Sequence, residues 1–594
     1  MTSGRRQLLT IVLLVLGIGV WLTQSSDAHG GWEAWLGAGI GLIVAAVGSL
    51  NRSMGIAVVR MRRGLKAHPA AAVAVVGIAA GAYLLFQACR QPGEMFPRIH
   101  DEHSYLIQAR MLAQGRLWTR GYPPAIAPFF DTFYVFVDRV YASTYFPGTA
   151  LAAVPTIWLH LPYWTTPLIC GAGGVAIFYG IAARLFDGVR GMLAALMLIT
   201  RPFFRLASLQ LLSETPALIA NLLVIWAWLR WRKRRDLGWA ALVGAAAGWA
   251  GITRPLDAIC FAIPVGAAMA FELRRQPGLI LKTAGVVALC AMPFAALQII
   301  QNIGVTGSWD QPPAQLYHLR NCPGPPMGFG PYDLTRMPAG ISKQKLEFDY
   351  AILIDAYRSH TLSNELANWY SQRFTQLRSV ALPATVLVIF LPLAFAGMGN
   401  IRRKVVAAGL GVFLVGYLAC VFHLDFYLVP AIPALICVVF MGWEALERAW
   451  PRQRRRIFPL IALGIAGFAM RSMPELNSNM RTLPVVAEQT KWIDADLAGL
   501  TSPALVLFRF DTSRIPLSAF PVYNDDVAWP DDAKVVRAND LGKGQNWKLY
   551  GYYARFQPER RVYAYVRSLA SDTQPLKYLG TVGELAAHHV QPTY

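Results

Sequence analysis

Apolar runs near the ~20 residues needed to cross a bilayer recur along the chain, separated by short basic hinges and by three long polar stretches. The runs fall near 8–23, 34–50, 70–89, 166–183, 190–206, 213–230, 237–251, 255–272, 279–300, 379–397, 405–421, 424–441 and 457–470. The pattern predicts a polytopic α-helical membrane protein of about thirteen spans. Arg5 and Arg6 before "QLLTIVLLVLGIGVWL" could mark a cleaved signal peptide, but so many later spans favour an uncleaved first helix. The run "YFPGTALAAVPTIWLHLP" (145–162) is set apart as a half-helix or an interfacial helix. A full crossing there would move every later basic hinge to the other side of the membrane.

Six regions follow: N-terminal spans (1–89), an acidic loop with interfacial helices (90–165) and a transmembrane core (166–301) come first. A polar loop (302–377), C-terminal spans (378–470) and a tail (471–594) complete the chain. The tail reads as a small α/β domain, with strands at "ALVLFRF", "AKVVRA" and "VYAYV" and a helix at "GKGQNWKLYGYYARF" between the last two.

Composition supports the membrane reading. The 594 residues are 55% hydrophobic and 15% charged, where a soluble domain carries about a quarter charged residues. A formal net charge of +21 does not point to nucleic acid, because the excess is confined to hinges. Arg52, Arg60, Arg62, Arg63 and Lys66 form one; Arg230 to Arg235, Arg274 and Arg275, Arg402 to Lys404, and Arg452 to Arg456 form others. Residues 302–376 hold six basic and six acidic residues, and 471–594 hold fourteen and thirteen. The basic excess is therefore a positive-inside signal, which puts 90–145, 302–376 and the tail outside the cytoplasm. Seven cysteines, nearly all in or beside apolar runs, imply no disulfide framework.

The candidate chemistry starts at "FPRIHDEHSYLIQARMLAQG" (96–115), where Asp101 and Glu102 sit between His100 and His103. Tyr105, Leu106, Ala109 and Leu112 recur at helical spacing opposite Gln108, Arg110 and Gln114, which predicts an amphipathic helix lying on the membrane. The plain reading makes Asp101 an N-cap and Glu102 a partner of the helix dipole. A metal site on Asp101, Glu102 and His103, with His100 in reach, is a second reading; the acid pair permits a divalent cation without requiring one. In the third, a carboxylate ionised at neutral pH takes a proton from an acceptor hydroxyl. Elsewhere, Glu214 opens an apolar run after Ser213, a good N-cap, and before Pro216. "NDDVAWPDD" around Asp525 reads as a solvated turn.

Five motifs in order carry a family resemblance. "DEHSYLIQARMLAQG" resembles the acidic outer loop of the GT-C glycosyltransferases, in the branch of protein O-mannosyltransferases and the lipid A aminoarabinose transferase. "YFPGTALAAVP", "LLSETPALIANLLV", "GITRPLDAI" and "FYLVPAIPAL" are similar to that branch's later segments. The resemblance implies an inverting transfer of one monosaccharide from a polyprenyl-phosphate carrier to an extracytoplasmic hydroxyl of an envelope glycan, lipid or protein. It implies a multi-pass inner-membrane enzyme with its active site on the outer, periplasmic face. Asp101 is then the general base, Glu102 orients it or helps hold an ion, and Glu214 is a second wall of the acceptor site. Arg254 in "ITRP", His423 and Arg139 are the expected phosphate-binding cations, with Arg201 and Arg205 as weaker ones. The lysine that follows the acidic loop in the aminoarabinose branch has no counterpart here, and the two first spans are additional to the usual core.

The rival from another class is a flippase or transporter of lipid-linked sugars. It would account for the spans and the boundary arginines without chemistry. Such proteins often carry paired repeats with broken helices near the midplane, and none is visible along this chain.

Overall fold

The computed structural model describes residues 3–23, 32–90, 95, 97–336, 353–471, 493, 495–510, 522–567 and 576–590. The described chain forms two compact units. The first comprises Met1–Met95, Trp164–Ala295 and Leu362–Met480; the second comprises Phe96–Tyr163, Ala296–Thr361 and Arg481–Tyr594.

Five described helices are long and apolar enough to cross a membrane: Pro69–Cys89, Thr165–Leu185, Pro255–Leu273, Pro277–Thr306 and Asp425–Ala449. Two bent pairs raise the number to seven if each is one span. Hydropathy suggested thirteen runs, and two of them, 190–206 and 379–397, break at proline. Pro202 restricts the residue before it to extended backbone. Arg201 accordingly sits at φ −70 and ψ 129, ending the helix Gly188–Ile199 and starting the short helix Pro202–Ala207. Pro383 acts in the same way on Leu382 (φ −107, ψ 134), and the chain turns by 114° between Trp369–Ala381 and Thr385–Gly397. The basic hinge after residue 50 is itself a helix, Gly48–Ala67, bent by 101° from Gly39–Ala46 at Val47.

The first unit is organised around Ile432–Ala449, whose residues from Ile432 to Trp443 are all buried. An element apolar on every side belongs inside a bundle. Gly442 lets that helix meet the backbone carbonyl of Phe390, and Gly397 meets the carbonyl of Met441, closer than a Cβ at either position would permit. Small residues at such crossings are the means by which apolar helices associate in lipid. Trp228, Trp231 and Trp443 are fully buried in the same core.

The second unit joins the acidic segment to the tail. Strand β1 (Thr119–Arg120) and β2 (Val135–Phe136) both pair antiparallel with β3 (Val140–Ser143). In the tail, β4 (Ala504–Phe510), β5 (Val535–Asn539), β6 (Arg561–Arg567) and β7 (Lys577–Thr581) form a sheet in the order β5-β4-β6-β7. The inner pairs are parallel and β7 is antiparallel. The helix Lys543–Tyr553 connects β5 to β6, as a parallel crossover requires. Ile107, Met111, Phe129 and Phe130 share one core with Leu505, Leu507, Val536 and Leu549. Asp531 closes that core as acceptor for three tyrosine hydroxyls: Tyr122 at 2.8 Å, Tyr552 at 2.7 Å and Tyr553 at 2.6 Å.

The segment 145–162 contains an eleven-residue helix, Gly148–Trp158. At about 1.5 Å per residue it cannot span a hydrocarbon core ~30 Å thick.

Candidate functional site

The acidic helix runs His100–Ala113 with Ile99 at its N-cap and no side-chain cap. Asp101 therefore lies in the first turn, and the capping role read for it from sequence belongs elsewhere. Glu102, fully buried, reaches back to accept from the Arg98 N–H at 2.8 Å. The surface-lying amphipathic helix is also corrected. His100, Glu102 to Ala109 and Met111 are all buried, so protein packs around the helix on nearly every side.

Asp101 keeps partial exposure and accepts a hydrogen bond from the Tyr145 hydroxyl. Tyr145 is held by stacking on Tyr105 at 4.6 Å, while its carbonyl accepts from Gln108 (2.9 Å) and Gln301 (3.1 Å). Burial, with the Asp101 charge added, pushes the Tyr145 phenol well above its ordinary range. It remains a donor at neutral pH, and its hydroxyl fixes the carboxylate oxygen that it meets.

The two histidines serve the packing and the tail. His100 stacks on Phe133 at 4.1 Å and shares a 3.2 Å hydrogen bond with the Tyr523 hydroxyl. His103 lies flat on the Tyr523 ring at 4.3 Å and contacts Asp525 Oδ2 at 2.7 Å through Nδ1. Arg110 donates to the Asp525 carbonyl at 2.6 Å. Asp525 is thus a partner of the acidic helix, where sequence had suggested a solvated turn. Burial raises its carboxyl pKa, but His103, Arg537 and Arg110 outweigh that and hold it below the usual carboxylate range.

The proposed metal set is not assembled. Asp101, Glu102 and His103 turn to Tyr145, Arg98 and Asp525 respectively, because adjacent helical side chains diverge by about 100°. Among the described residues no three His, Cys, Asp or Glu side chains converge on a position that could hold a metal ion.

A second cluster lies in the first unit, at the start of Pro255–Leu273. Arg254 Nη1 donates to Glu214 at 2.7 Å and to Ser213 at 3.0 Å. Its Nε donates to Asp257 at 2.9 Å and its Nη2 to the Tyr417 hydroxyl at 2.9 Å. Tyr417 in turn donates to Asp257 at 2.7 Å, and the guanidinium lies over Tyr427 at 4.6 Å. Ser213, expected to cap its own helix, accepts from Arg254 instead. Glu214 and Arg254 are therefore brought together, as an ion pair.

The other expected cations differ. His423 is half-buried; desolvation, helped by the Arg373 charge, pushes its pKa down to about 3, so it is neutral at physiological pH. Its backbone carbonyl accepts from Gln376 at 3.1 Å. Arg139 is exposed in the β2–β3 turn, 3.4 Å from the Thr306 carbonyl, on the wall of an open cavity of about 680 Å³ with Phe136 and Arg320. Arg205 is fully buried and donates to Tyr83 at 3.0 Å, and Arg201 is buried as well.

Residues 162–297 match the family model described as dolichyl-phosphate-mannose-protein mannosyltransferase. ArnT from Cupriavidus metallidurans, in a structure with bound undecaprenyl phosphate, superimposes with a TM-score of 0.50 at 14% identity, covering 83% of this chain and 92% of that one. Its apo form gives 0.46 at 14% identity over 76% and 84%, and the Archaeoglobus fulgidus oligosaccharyltransferase gives 0.28 at 13% over 67% and 56%. No curated protein matches the chain by sequence. The family match is confined to residues 162–297, and the fold of the chain is similar to the one seen in ArnT.

Proposed function

We propose that the protein transfers a monosaccharide from a polyprenyl-phosphate carrier to an acceptor hydroxyl on the outer face of the inner membrane, with inversion. The observation that carries this reading is Asp101: a partly exposed carboxylate, fixed by the Tyr145 hydroxyl, on a helix buried almost everywhere else. The acceptor oxygen attacks the anomeric carbon while the bond to the carrier phosphate breaks. The hydroxyl proton passes to Asp101, and the polyprenyl phosphate leaves with the bonding pair. Tyr145 orients the base; Glu102 holds the start of its helix.

Arg254 is the proposed phosphate-side cation. It sits at a helix N-terminus, where backbone N–H groups also favour an anion. Four of its five N–H groups are engaged, which leaves one on Nη2 for a ligand oxygen. Glu214 is then the residue that holds Arg254 in place. His423, being neutral, could contribute a hydrogen bond and no charge, and Arg139 contributes through its cavity wall.

The test is a reconstituted transfer assay with radiolabelled carrier-linked sugar. Asp101→Asn should lower turnover by about 10²–10⁴-fold while the variant inserts and purifies normally. Wild type should release free polyprenyl phosphate. Movement of intact carrier lipid across the vesicle, with none consumed, would show a transporter instead.

A further inference from the structure

The basic end of the first unit holds a cavity that glycosyl transfer does not use. It measures about 820 Å³ and lies between the helices Gly48–Ala67 and Arg454–Arg471. Six arginines line it: Arg52, Arg60, Arg62, Arg63, Arg454 and Arg455; no acid does. Two are anchored from behind. Arg62 pairs with Asp187 at 3.2 Å and Arg454 with Glu447 at 3.0 Å, and both carboxylates are bound to the buried Arg190 at 2.6 Å. Arg62 also lies over the Phe458 ring at 5.0 Å. Among the described residues no carboxylate pairs with Arg52, Arg60, Arg63 or Arg455.

The helix Gly48–Ala67 has no buried residue at all. The face that lines the cavity interleaves arginine with exposed apolar side chains: Ile56 is 49% exposed and Val59 is 44% exposed, in helical register with Arg52 and Arg63. Such a face is poorly suited to water or to hydrocarbon alone; it suits the boundary between them. The 101° bend at Val47 turns the helix roughly at right angles to the one before it, which is the geometry of a segment leaving a span to run along a surface.

We propose that this cavity binds the phosphate headgroup of an anionic phospholipid in the inner leaflet, with Gly48–Ala67 lying in the headgroup plane. Guanidinium groups match phosphate oxygens two at a time. Ile56 and Val59 enter the acyl boundary beside the bound lipid. The anchored arginines, Arg62 and Arg454, fix the wall, and the four without carboxylates meet the ligand. The inference goes beyond glycosyl transfer and depends only on the chain being a membrane protein with its basic hinges on the cytoplasmic side.

The test is lipid retention by the full-length protein, measured by native mass spectrometry after exchange into mixed micelles of phosphatidylglycerol and phosphatidylcholine. Wild type should keep phosphatidylglycerol selectively, and millimolar inorganic phosphate should not displace it. The triple variant Arg52→Gln/Arg63→Gln/Arg455→Gln should lose retention by about a hundredfold, the single Arg63→Gln by about fivefold, and the matching lysine triple by far less. Sugar transfer should be unchanged in all of them. Undiminished retention in either glutamine variant overturns the proposal, and so does displacement by phosphate, which would mark a site for free anions.

Discussion

Replacing Arg254 by glutamine should harm the protein more than neutralising either acid it holds. One guanidinium serves Glu214, whose side chain is 2% exposed, and Asp257, at 0%. Arg254→Gln takes the guanidinium away from both buried acids at once; removing one partner of a buried pair costs about 3–5 kcal/mol. Glu214→Gln instead leaves a one-to-one pair between Arg254 and Asp257, so the loss is that of one charged hydrogen bond, about 1.5–3 kcal/mol. Asp257→Asn falls between them, because Asp257 also accepts from Tyr417. The double variant Arg254→Gln/Glu214→Gln should be less impaired than the two single losses added together. The assay is the half-life of the solubilised protein at a fixed raised temperature, since unfolding of large chains is commonly irreversible. A loss of about 3 kcal/mol expressed in the unfolding barrier shortens that half-life roughly a hundredfold. Equal half-lives for Arg254→Gln and Glu214→Gln would refute the account, by showing that the guanidinium does not compensate both acids.

Three further outcomes follow from the geometry. Tyr145→Phe removes the donor to Asp101 and should lower kcat by about ten- to a hundredfold, corresponding to the roughly 1.5–3 kcal/mol of a charge-assisted bond, while leaving thermal stability nearly intact; turnover equal to wild type would remove Tyr145 from the site. Asp525 has its carboxyl pKa depressed in the fold, so its contribution is complete above the unfolded value of about 3.9 and disappears as pH falls through the folded value. Asp525→Asn should therefore cost stability at neutral pH and flatten the stability profile below about pH 4, read by near-ultraviolet circular dichroism; an unchanged acid limb would contradict this. Gly442→Ala drives a methyl group into the Phe390 carbonyl and should cost about 1–3 kcal/mol, seen as a lower melting temperature.

The functional residues differ in how far local pattern revealed them. Asp101, Glu214 and Arg254 stood out because a charge beside an apolar run is rare and costly. Tyr145, Asp257 and Tyr417 did not, although the first two lie inside motifs already singled out: aromatic and acidic residues at span ends have ordinary reasons to be there. Asp525 was passed over because its cluster "NDDVAWPDD" looks like any polar turn; its partner His103 is 422 residues away. No spacing rule reaches that far.

Hydropathy and the placement of arginine determined that the chain is polytopic, because both report on the solvent each segment meets, a property of the segment itself. The strands Ala504–Phe510, Val535–Asn539 and Arg561–Arg567 were legible for the same reason. Tertiary structure decided which apolar run lies at the centre of the first unit, Ile432–Ala449. It also decided that the acidic helix is wrapped in protein rather than afloat on lipid, because Phe129, Leu505 and Leu549 come together from distant parts of the chain. Whether a side chain is a cap, a ligand or a base depends on the atoms opposite it, and those are fixed by packing rather than by order along the chain.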